Sequence, residues 1–397
     1  MTEDTPTASM IARAGVRDEG TRKELAGIAD TVAKSKKAIV ITGAGISCNA
    51  GIPDFRSQDG LYNMVKARYP SAGMAGKDLF DSILFTDPLS TQVFYTFMAE
   101  LRQCINGAKA TATHKFIKKM SDRGRLVRCY TQNIDGLESL EGLEVCDVDH
   151  NKNQVLQLHG DIHQLKCNLC HKVEVYTEEY TQTLQSGRAP PCSSCFEKHQ
   201  LREVAGLRTG RIGALRPNIV LYGEEHPTAD AIRKMTAADL RRKPDLLLIL
   251  GTSLKVTGIR SLVKNISKVV HAKGGKVVYI NKTQLPVSIW AGTIDYWVEG
   301  CCDEWVDYMK EAKPSLWEPK QLQLPKMKVT KPKKISNKEN EDPILPTSPS
   351  KRKTQCSDKV TKPKKAVKGK SHLPADVFSD TTMDLKPDTK IFPNSVV

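Results

Sequence analysis

Two pairs of cysteines are the residues whose type and spacing most clearly indicate chemistry. Cys167 and Cys170 form the first pair, Cys192 and Cys195 form the second, and two residues separate the members of each pair. Four thiolates at this spacing can close a tetrahedron around Zn²⁺ and leave no coordination position open for a substrate. The sequence therefore predicts one structural zinc ion at these four cysteines, and residues elsewhere must carry any reaction.

A histidine, His159, stands shortly before the first cysteine pair. It follows the mostly apolar residues 155–158, which we expect to form a strand. Histidine titrates near neutral pH and can act as a general base, although a single histidine is more often structural. His159 is therefore a candidate base that needs support from its surroundings.

A glycine-rich turn at residues 42–47 follows the apolar residues 38–41. In such a turn, backbone N–H groups can approach a pyrophosphate, with a helix N-terminus behind them. The full dinucleotide fingerprint would need a third glycine where Cys48 stands, so the turn alone also fits an ordinary strand-to-helix connection. Arg56, a little further along the chain, could pair with a phosphate.

Small or polar residues follow the other predicted strands. Gln132 and Asn133 come after one strand, Gly251 follows another, and Asn281 follows a third. Because the carboxyl ends of parallel strands meet at one edge of a sheet, where open α/β folds bind ligands, we expect these residues to share one crevice.

The elements that must position these residues are short, continuously apolar strands separated by helical patterns. Such strands are typical of a parallel sheet that is buried on both faces. The predicted fold is α/β, with a doubly wound, Rossmann-like parallel sheet and a smaller, helical and zinc-binding insertion. The clearest strands are residues 38–41, 126–130, 246–250 and 276–280, and the clearest helices are residues 21–35, 91–104 and 228–241.

The chain divides into three regions by composition. We expect residues 1–20 to be disordered, residues 21–321 to fold, and residues 322–397 to be a disordered tail rich in Lys, Pro, Ser and Thr. The folded region should have a large part and a small, zinc-binding part. The large part is expected at about residues 21–60, 110–160 and 214–321, and the small part at about residues 61–109 and 161–213.

Charge and cysteine usage narrow the class of protein. The net charge is +15, and residues 326–397 carry 17 Lys and Arg against 8 Asp and Glu, so the tail holds +9 of it. This asymmetry favours an acidic partner or a nuclear address. Eleven cysteines without a disulfide framework favour a reducing compartment. We see no signal peptide and no apolar run that could span a bilayer, so we expect an intracellular protein without a membrane partner.

In combination, these motifs resemble those of the sirtuins, a family of NAD-dependent protein-lysine deacylases. The resemblance rests on residues 43–47, 51–56, 131–135, 158–160, 216–220, 223–224 and 251–253, together with the two cysteine pairs. Within the family, the chain is most similar to the fungal nuclear branch that acts on histone H3. Residues 48–50, 221–227 and 255–258 favour that branch.

The resemblance implies a role for each matching position. His159 would be the general base, with Asn133 as a second catalytic residue. The cofactor NAD would be bound by Gly43, Ala44, Gly45, Ser47, Asp54, Phe55, Arg56, Tyr62, Gln132, Asn133, Ile134, Asp135, Gly251, Thr252, Ser253, Asn281, Lys282 and Cys302. The substrate peptide would pair, backbone to backbone, with Val220, Leu221, Tyr222 and Gly223. Tyr222 stands where the family commonly has Phe, and its hydroxyl could alter the fit of the acyl chain.

The implied reaction is deacetylation of a protein lysine, with nicotinamide and O-acetyl-ADP-ribose as further products. The implied partner is an acetylated histone tail or core peptide in chromatin, with a role in gene silencing and genome stability. Basic clusters at residues 331–334, 351–353 and 362–365 favour a nuclear location and allow nonspecific DNA contact, although a solvated charged tail would look similar. Two alternatives to the deacetylase function stay open. One is a mono-ADP-ribosyltransferase that uses the same NAD site, and the other is a non-enzymatic chromatin adaptor.

Overall fold

The structure is a computed structural model that describes residues 10–13, 19–70, 77–145 and 154–318. These residues contain ten strands and eleven α-helices. The strands are β1 (Met10–Arg13), β2 (Ala38–Thr42), β3 (Leu126–Thr131), β4 (Val155–Gln157), β5 (Gly160–Cys167), β6 (Val173–Val175), β7 (Leu215–Ile219), β8 (Leu246–Leu250), β9 (Lys276–Asn281) and β10 (Tyr296–Glu299). The helices are α1 (Glu19–Lys34), α2 (Leu61–Arg68), α3 (Pro88–Asn106), α4 (Ala112–Asp122), α5 (Leu137–Leu140), α6 (Glu178–Gln185), α7 (Ser193–Val204), α8 (Ala229–Arg241), α9 (Thr257–His271), α10 (Val287–Trp290) and α11 (Cys302–Ala312).

Seven of the strands form one parallel sheet in the order β1-β10-β9-β8-β2-β3-β4. The chain runs from β2 outward to β4 on one side and later from β8 outward to β10 on the other. The order therefore reverses between β2 and β8, which is the switch point where doubly wound sheets bind ligands. The predicted α/β class with a doubly wound parallel sheet is confirmed.

Both faces of this sheet are buried, which explains the continuous apolar runs. All five residues of β2 and of β8 are buried. Alternate residues enter different cores, because successive side chains of a strand point to opposite faces. Val40 packs with Phe116 of α4 and Trp305 of α11, whereas Ile41 packs with Val263 of α9. Helices thus cover each face and hold the strand ends in place.

A second, three-stranded antiparallel sheet has the order β6-β5-β7. Its buried residues, among them Ile162 and Leu215, share a core with Phe94 and Phe97 of α3 and with Leu184 of α6. Both cysteine pairs lie beside this sheet, because β5 ends at Cys167 and α7 begins directly after Cys192.

The first strand and helix begin within the segment that was expected to be disordered. Disorder was expected for residues 1–20, but the structure has β1 at Met10–Arg13, paired with β10, and α1 from Glu19. The expected disorder fails at β1 because the edge of a parallel sheet offers free backbone groups that a short segment can pair with. The predicted basic tail, residues 322–397, lies outside the described residues. Among the described helices, none has the length and apolar character that crossing a membrane requires.

Candidate functional site

A cavity of about 1430 Å³ opens at the carboxyl ends of the central strands. Residues that directly follow β2, β3 and β8 line it, and so does the end of β9, so it lies at the switch point between β2 and β8. Most of the predicted site residues meet here. The cavity is lined by Gly43, Ala44, Gly45, Asp54, Phe55, Arg56, Tyr62, Gln132, Asn133, Ile134, His159, Val220, Leu221, Tyr222, Gly223, Gly251, Thr252, Ser253, Asn281, Lys282 and Cys302.

Two glycine turns pack against each other at the base of the cavity. The Gly45 N–H donates to the Gly251 carbonyl oxygen at 2.8 Å. A Cβ at Gly45 would lie 2.8 Å from the Gly251 Cα, and a Cβ at Gly43 would lie 2.7 Å from the Thr252 Cβ. Gly251 has φ of +62°, a left-handed conformation that favours glycine. The turns can approach this closely only without side chains, and the bare backbone they present fits the approach of a pyrophosphate.

Ser47 and Asp135 are placed behind the cavity wall and not in it. The Ser47 hydroxyl donates to Asp135 Oδ2 at 2.7 Å, and the Asn133 side-chain amide donates to Ser47 Oγ at 3.1 Å. The second oxygen of Asp135 accepts the Leu137 N–H at 3.1 Å. Ser47 and Asp135 therefore hold the Asn133 side chain at the wall.

His159 is oriented by the backbone of the neighbouring strand end. Its Nδ1 lies 2.9 Å from the Gln132 carbonyl oxygen. A carbonyl can only accept, so Nδ1 carries the proton and Nε2 keeps a free lone pair. Burial lowers the pKa of His159, the nearby His226 lowers it further, and the Gln132 carbonyl raises it. The imidazole is therefore neutral at physiological pH, as a general base must be.

Gln132 joins three strand ends around this histidine. Its side-chain amide donates to the Thr42 carbonyl oxygen at 3.0 Å and to Thr252 Oγ1 at 2.9 Å. These bonds connect the ends of β2, β3 and β8. The edge of the cavity is thus cross-linked before any ligand binds.

A loop after the first glycine turn covers the cavity. Asp54 Oδ1 accepts the N–H groups of Arg56 and Ser57, both at 2.7 Å, which fixes the turn. The Phe55 ring packs edge-on against Phe80, with 5.2 Å between the ring centroids. Arg56 donates from Nη2 to the Tyr222 hydroxyl at 3.0 Å. The loop is therefore tied to the segment that was predicted to bind substrate.

The substrate-binding prediction for Val220, Leu221, Tyr222 and Gly223 meets a constraint. Three of the four backbone N–H groups already donate inside the chain, to His159 O at 2.9 Å, to Glu224 Oε2 at 3.1 Å and to Phe80 O at 2.8 Å. The Tyr222 carbonyl accepts from Ser82 N at 2.9 Å. A peptide that adds here would have to use the remaining backbone groups of the segment.

Several cavity residues were not predicted from the sequence. Asn49 lines the cavity, and its amide donates to Asp303 Oδ2 at 2.7 Å and approaches Cys301 Sγ at 3.2 Å. Thr283 also lines it and accepts from the Asn281 amide at 2.7 Å. Each of these residues is within four positions of a predicted one, so proximity to the motifs was the available signal.

The four predicted zinc ligands come together in one cage. The Sγ atoms of Cys167 and Cys195 are 3.8 Å apart, and those of Cys170 and Cys192 are 3.6 Å apart. Zinc–sulfur bonds of about 2.3 Å in a tetrahedron imply sulfur–sulfur distances of about 3.8 Å. The Leu169 N–H also donates to Cys167 Sγ at 3.3 Å, which supports a thiolate there. The donor set and its dimensions fit Zn²⁺ with no position left for substrate.

Comparisons with known proteins agree with this geometry. A sequence model of the Sir2 family matches residues 43–258. The NAD-dependent histone deacetylase HST3 of Candida albicans is 52% identical over 299 residues, which are 72% of this chain and 61% of that protein. The NAD-dependent histone deacetylase HST3 of Saccharomyces cerevisiae is 42% identical over 302 residues, which are 72% of this chain and 67% of that protein.

A solved structure described as a Sir2 protein with a p53 peptide and NAD⁺ superposes with a TM-score of 0.53 and 26% sequence identity. The match covers 72% of this chain and 96% of that one. The chain spans about 61% of the length of the Candida relative. The resemblance read from the motifs is thereby confirmed, and the chain belongs to the Sir2 family.

Proposed function

We propose that the chain is an NAD-dependent protein-lysine deacetylase whose substrates include acetylated histone lysines. The observation that carries the proposal is a neutral His159, with its Nε2 free, on the wall of a cavity at the switch point of the sheet. The names of the HST3 relatives and the NAD-bound Sir2 neighbour support the same activity.

The residues of this chain would bind and orient the reactants. The bare backbone of Gly43 and Gly45 would face the pyrophosphate, while Asn133, held by Ser47, would orient the nicotinamide ribose. Phe55 and Arg56 would cover the site and exclude water. When bound, NAD supplies an ADP-ribosyl group that loses nicotinamide and takes up the acetyl group.

His159 would move the decisive proton. Its Nε2 would accept a proton from a ribose hydroxyl, so that this oxygen can attack the acetyl carbon attached to the lysine. The Gln132 carbonyl oxygen accepts the hydrogen bond from Nδ1–H and would stabilise the imidazolium that forms. The zinc cage would take no part in this step, because four thiolates leave no open coordination position.

Domain roles, partners and location are part of the proposal. The large part at about residues 21–60, 110–160 and 214–321 would bind NAD, and the small part with the cysteine cage would support the substrate side. The proposal includes a nuclear location and chromatin as the partner, and the histone deacetylase names of the relatives support both. Nonspecific DNA contact would come from the basic residues 326–397, which lie outside the described residues.

A labelling experiment tests the activity and its two alternatives. The purified chain is incubated with an acetylated histone H3 peptide and NAD labelled in the adenosine half. We expect nicotinamide release and label in O-acetyl-ADP-ribose, each dependent on the acetyl group. Label that ends on protein would favour a mono-ADP-ribosyltransferase. DNA binding without any nicotinamide release would favour a non-enzymatic adaptor, and either result would overturn the proposal.

A further inference from the structure

Three buried titratable side chains form a cluster behind the cavity wall. They are His114 from α4, Asp135 from the loop after β3, and Glu138 from α5. One nitrogen or oxygen atom of each lies within 4.8 Å of the others. His114 is fully buried and Glu138 is 1% exposed, and neither residue lines the cavity. The cluster is therefore not part of the ligand-contacting surface.

Two atoms of this cluster, His114 Nε2 and Glu138 Oε1, have no hydrogen-bond partner among the described residues. Buried polar atoms are normally paired, so two orphans in one cluster require an explanation. A metal ion is the first candidate. However, His114 Nδ1 accepts the Thr111 N–H at 3.2 Å, so in the neutral imidazole the proton sits on Nε2 and blocks coordination there. The cluster is better explained by protons than by a metal.

Glu138 and Asp135 are two carboxyl groups in one buried site. Burial raises the pKa of Glu138 to about 8, and the negative charge of Asp135 is the second cause of this rise. The other titratable groups around the cluster are Cys129 on β3, which faces Glu138, and Asp303 on α11, which faces His114. Asp161 and His163 on β5 lie on the far side of Asp135.

One chain of hydrogen bonds leads from this cluster to Asn133. Asp135 accepts from Ser47, which accepts from the Asn133 side-chain amide. The Asn133 backbone N–H donates separately to Thr131 Oγ1 at 3.1 Å, at the end of β3. The side chain of Asn133 therefore depends on the cluster through Asp135 and Ser47.

We propose that Glu138 is a positioning residue, which holds a proton against Asp135 and thereby keeps Ser47 and Asn133 in place for the nucleotide. The inference rests on the proposed function for the identity of that nucleotide. Loss of the proton at alkaline pH puts a second negative charge beside Asp135 in a buried site. The cluster then has to open or take up water, and the hold on Asn133 weakens.

The test compares NAD affinity at about pH 6.5 and about pH 9 in the wild type, Glu138→Gln and Glu144→Gln. Glutamine keeps the shape and hydrogen bonding of a protonated Glu138 but cannot ionise. At about pH 9, one unit above the pKa, about a tenth of the chains keep the proton, so the wild-type affinity falls about tenfold. In Glu138→Gln, we expect the NAD affinity to be nearly the same at the two pH values. In Glu144→Gln, whose side chain is exposed, we expect the affinity to fall between them as it does in the wild type.

Two measurements do not depend on NAD. The infrared difference spectrum between wild type and Glu138→Gln should contain the carbonyl band of a protonated carboxylic acid at neutral pH. The free energy of unfolding of the wild type should fall as pH rises from about 4.5 through about 8, because the folded-state pKa lies above the unfolded one, and Glu138→Gln should lack this fall.

The outcomes separate this inference from the proposed function. An equal alkaline loss of affinity in wild type and Glu138→Gln, or the absence of the carboxylic acid band, overturns the role of Glu138. A second equivalent of bound metal that disappears in Glu138→Gln also overturns it. A wild type that binds no NAD at either pH overturns the proposed function instead, while the infrared and unfolding results still decide the protonation of Glu138.

Discussion

The cavity at the switch point and the cysteine cage bring reactive groups together in different ways. In the cavity, Asn133 and His159 are each held by hydrogen bonds within the chain, Asn133 through Ser47 behind the wall, and the wall is open to a ligand. In the cage, sulfur atoms of different pairs lie 3.6–3.8 Å apart, a spacing that suits one shared ion. The cavity is thus organised before its ligand arrives, whereas the cage needs its ion to be stable. Loss of the ligand should cost activity at one site and folding at the other.

Replacing one thiol of the cage should give the largest effect. Structural zinc sites contribute about 10–16 kcal/mol of apparent binding free energy, so Cys167→Ser should unfold the part around β5, β6 and β7. Circular dichroism melting and zinc content measure this. Cys104→Ser, a cysteine outside the cage, should keep both near wild type. A Cys167→Ser protein that is metal-free yet melts like the wild type would contradict a structural role.

Removing the candidate base should lower turnover strongly and leave the fold intact. His159→Ala should lower kcat by about 10²-fold or more, the usual contribution of a general base. The melting temperature should change little. His199→Ala, a half-buried histidine outside the cavity, is the matched control and should retain wild-type turnover. Wild-type kcat in His159→Ala would show that another group takes the proton.

The same histidine predicts an acid limb in the pH profile. Because burial lowers the pKa of His159, the neutral form persists below the ordinary histidine value of 6.5. The wild-type kcat/KM should fall only as pH drops through that lowered pKa, and stay high at neutral pH. A profile that already falls on the acid side of pH 8 would mean that the base is not buried His159.

A methyl group in the glycine turn should weaken NAD binding with a moderate cost in stability. In Gly45→Ala the new Cβ meets backbone atoms of Gly251 at 2.8 and 2.9 Å, and backbone cannot move aside easily. Overpacking of this kind costs about 1–3 kcal/mol. Gly27→Ala is the control, because nothing lies within 4 Å of its Cβ and a helix gains about 1 kcal/mol from Ala. Equal NAD affinity in both variants would refute the close-packed turn.

The smallest expected effect is at Tyr222. Tyr222→Phe removes the hydroxyl that accepts from Arg56, a neutral-to-charged hydrogen bond at a partly exposed position. We expect a change of about threefold in KM for acylated peptides, from a loss of about 0.5–1 kcal/mol, with kcat nearly unchanged. A series of peptides with acyl chains of increasing length measures it. An identical KM series in both proteins would show that the hydroxyl does not reach the acyl group.

How far the sequence predicted the molecule differs between these regions as well. The central strands, the glycine turn and the cysteine pairs were visible because each depends on residue type and local spacing. The connection of Ser47 to Asp135 was not, because it joins buried residues 88 positions apart, and a pattern gives no side-chain direction. His114 and Glu138 were missed for the same reason. The occupied N–H groups of Val220 and Tyr222 were invisible too, since their acceptors, the carbonyls of His159 and Phe80, are distant in the sequence.

Calorimetric titration of the folded wild-type chain with NAD, with and without an acetyl-lysine peptide, tests the central claim most directly. We expect one NAD bound per chain, with a heat of binding that Gly45→Ala diminishes and that the peptide alters. A well-folded, zinc-loaded protein that shows no heat of NAD binding in either titration would contradict it.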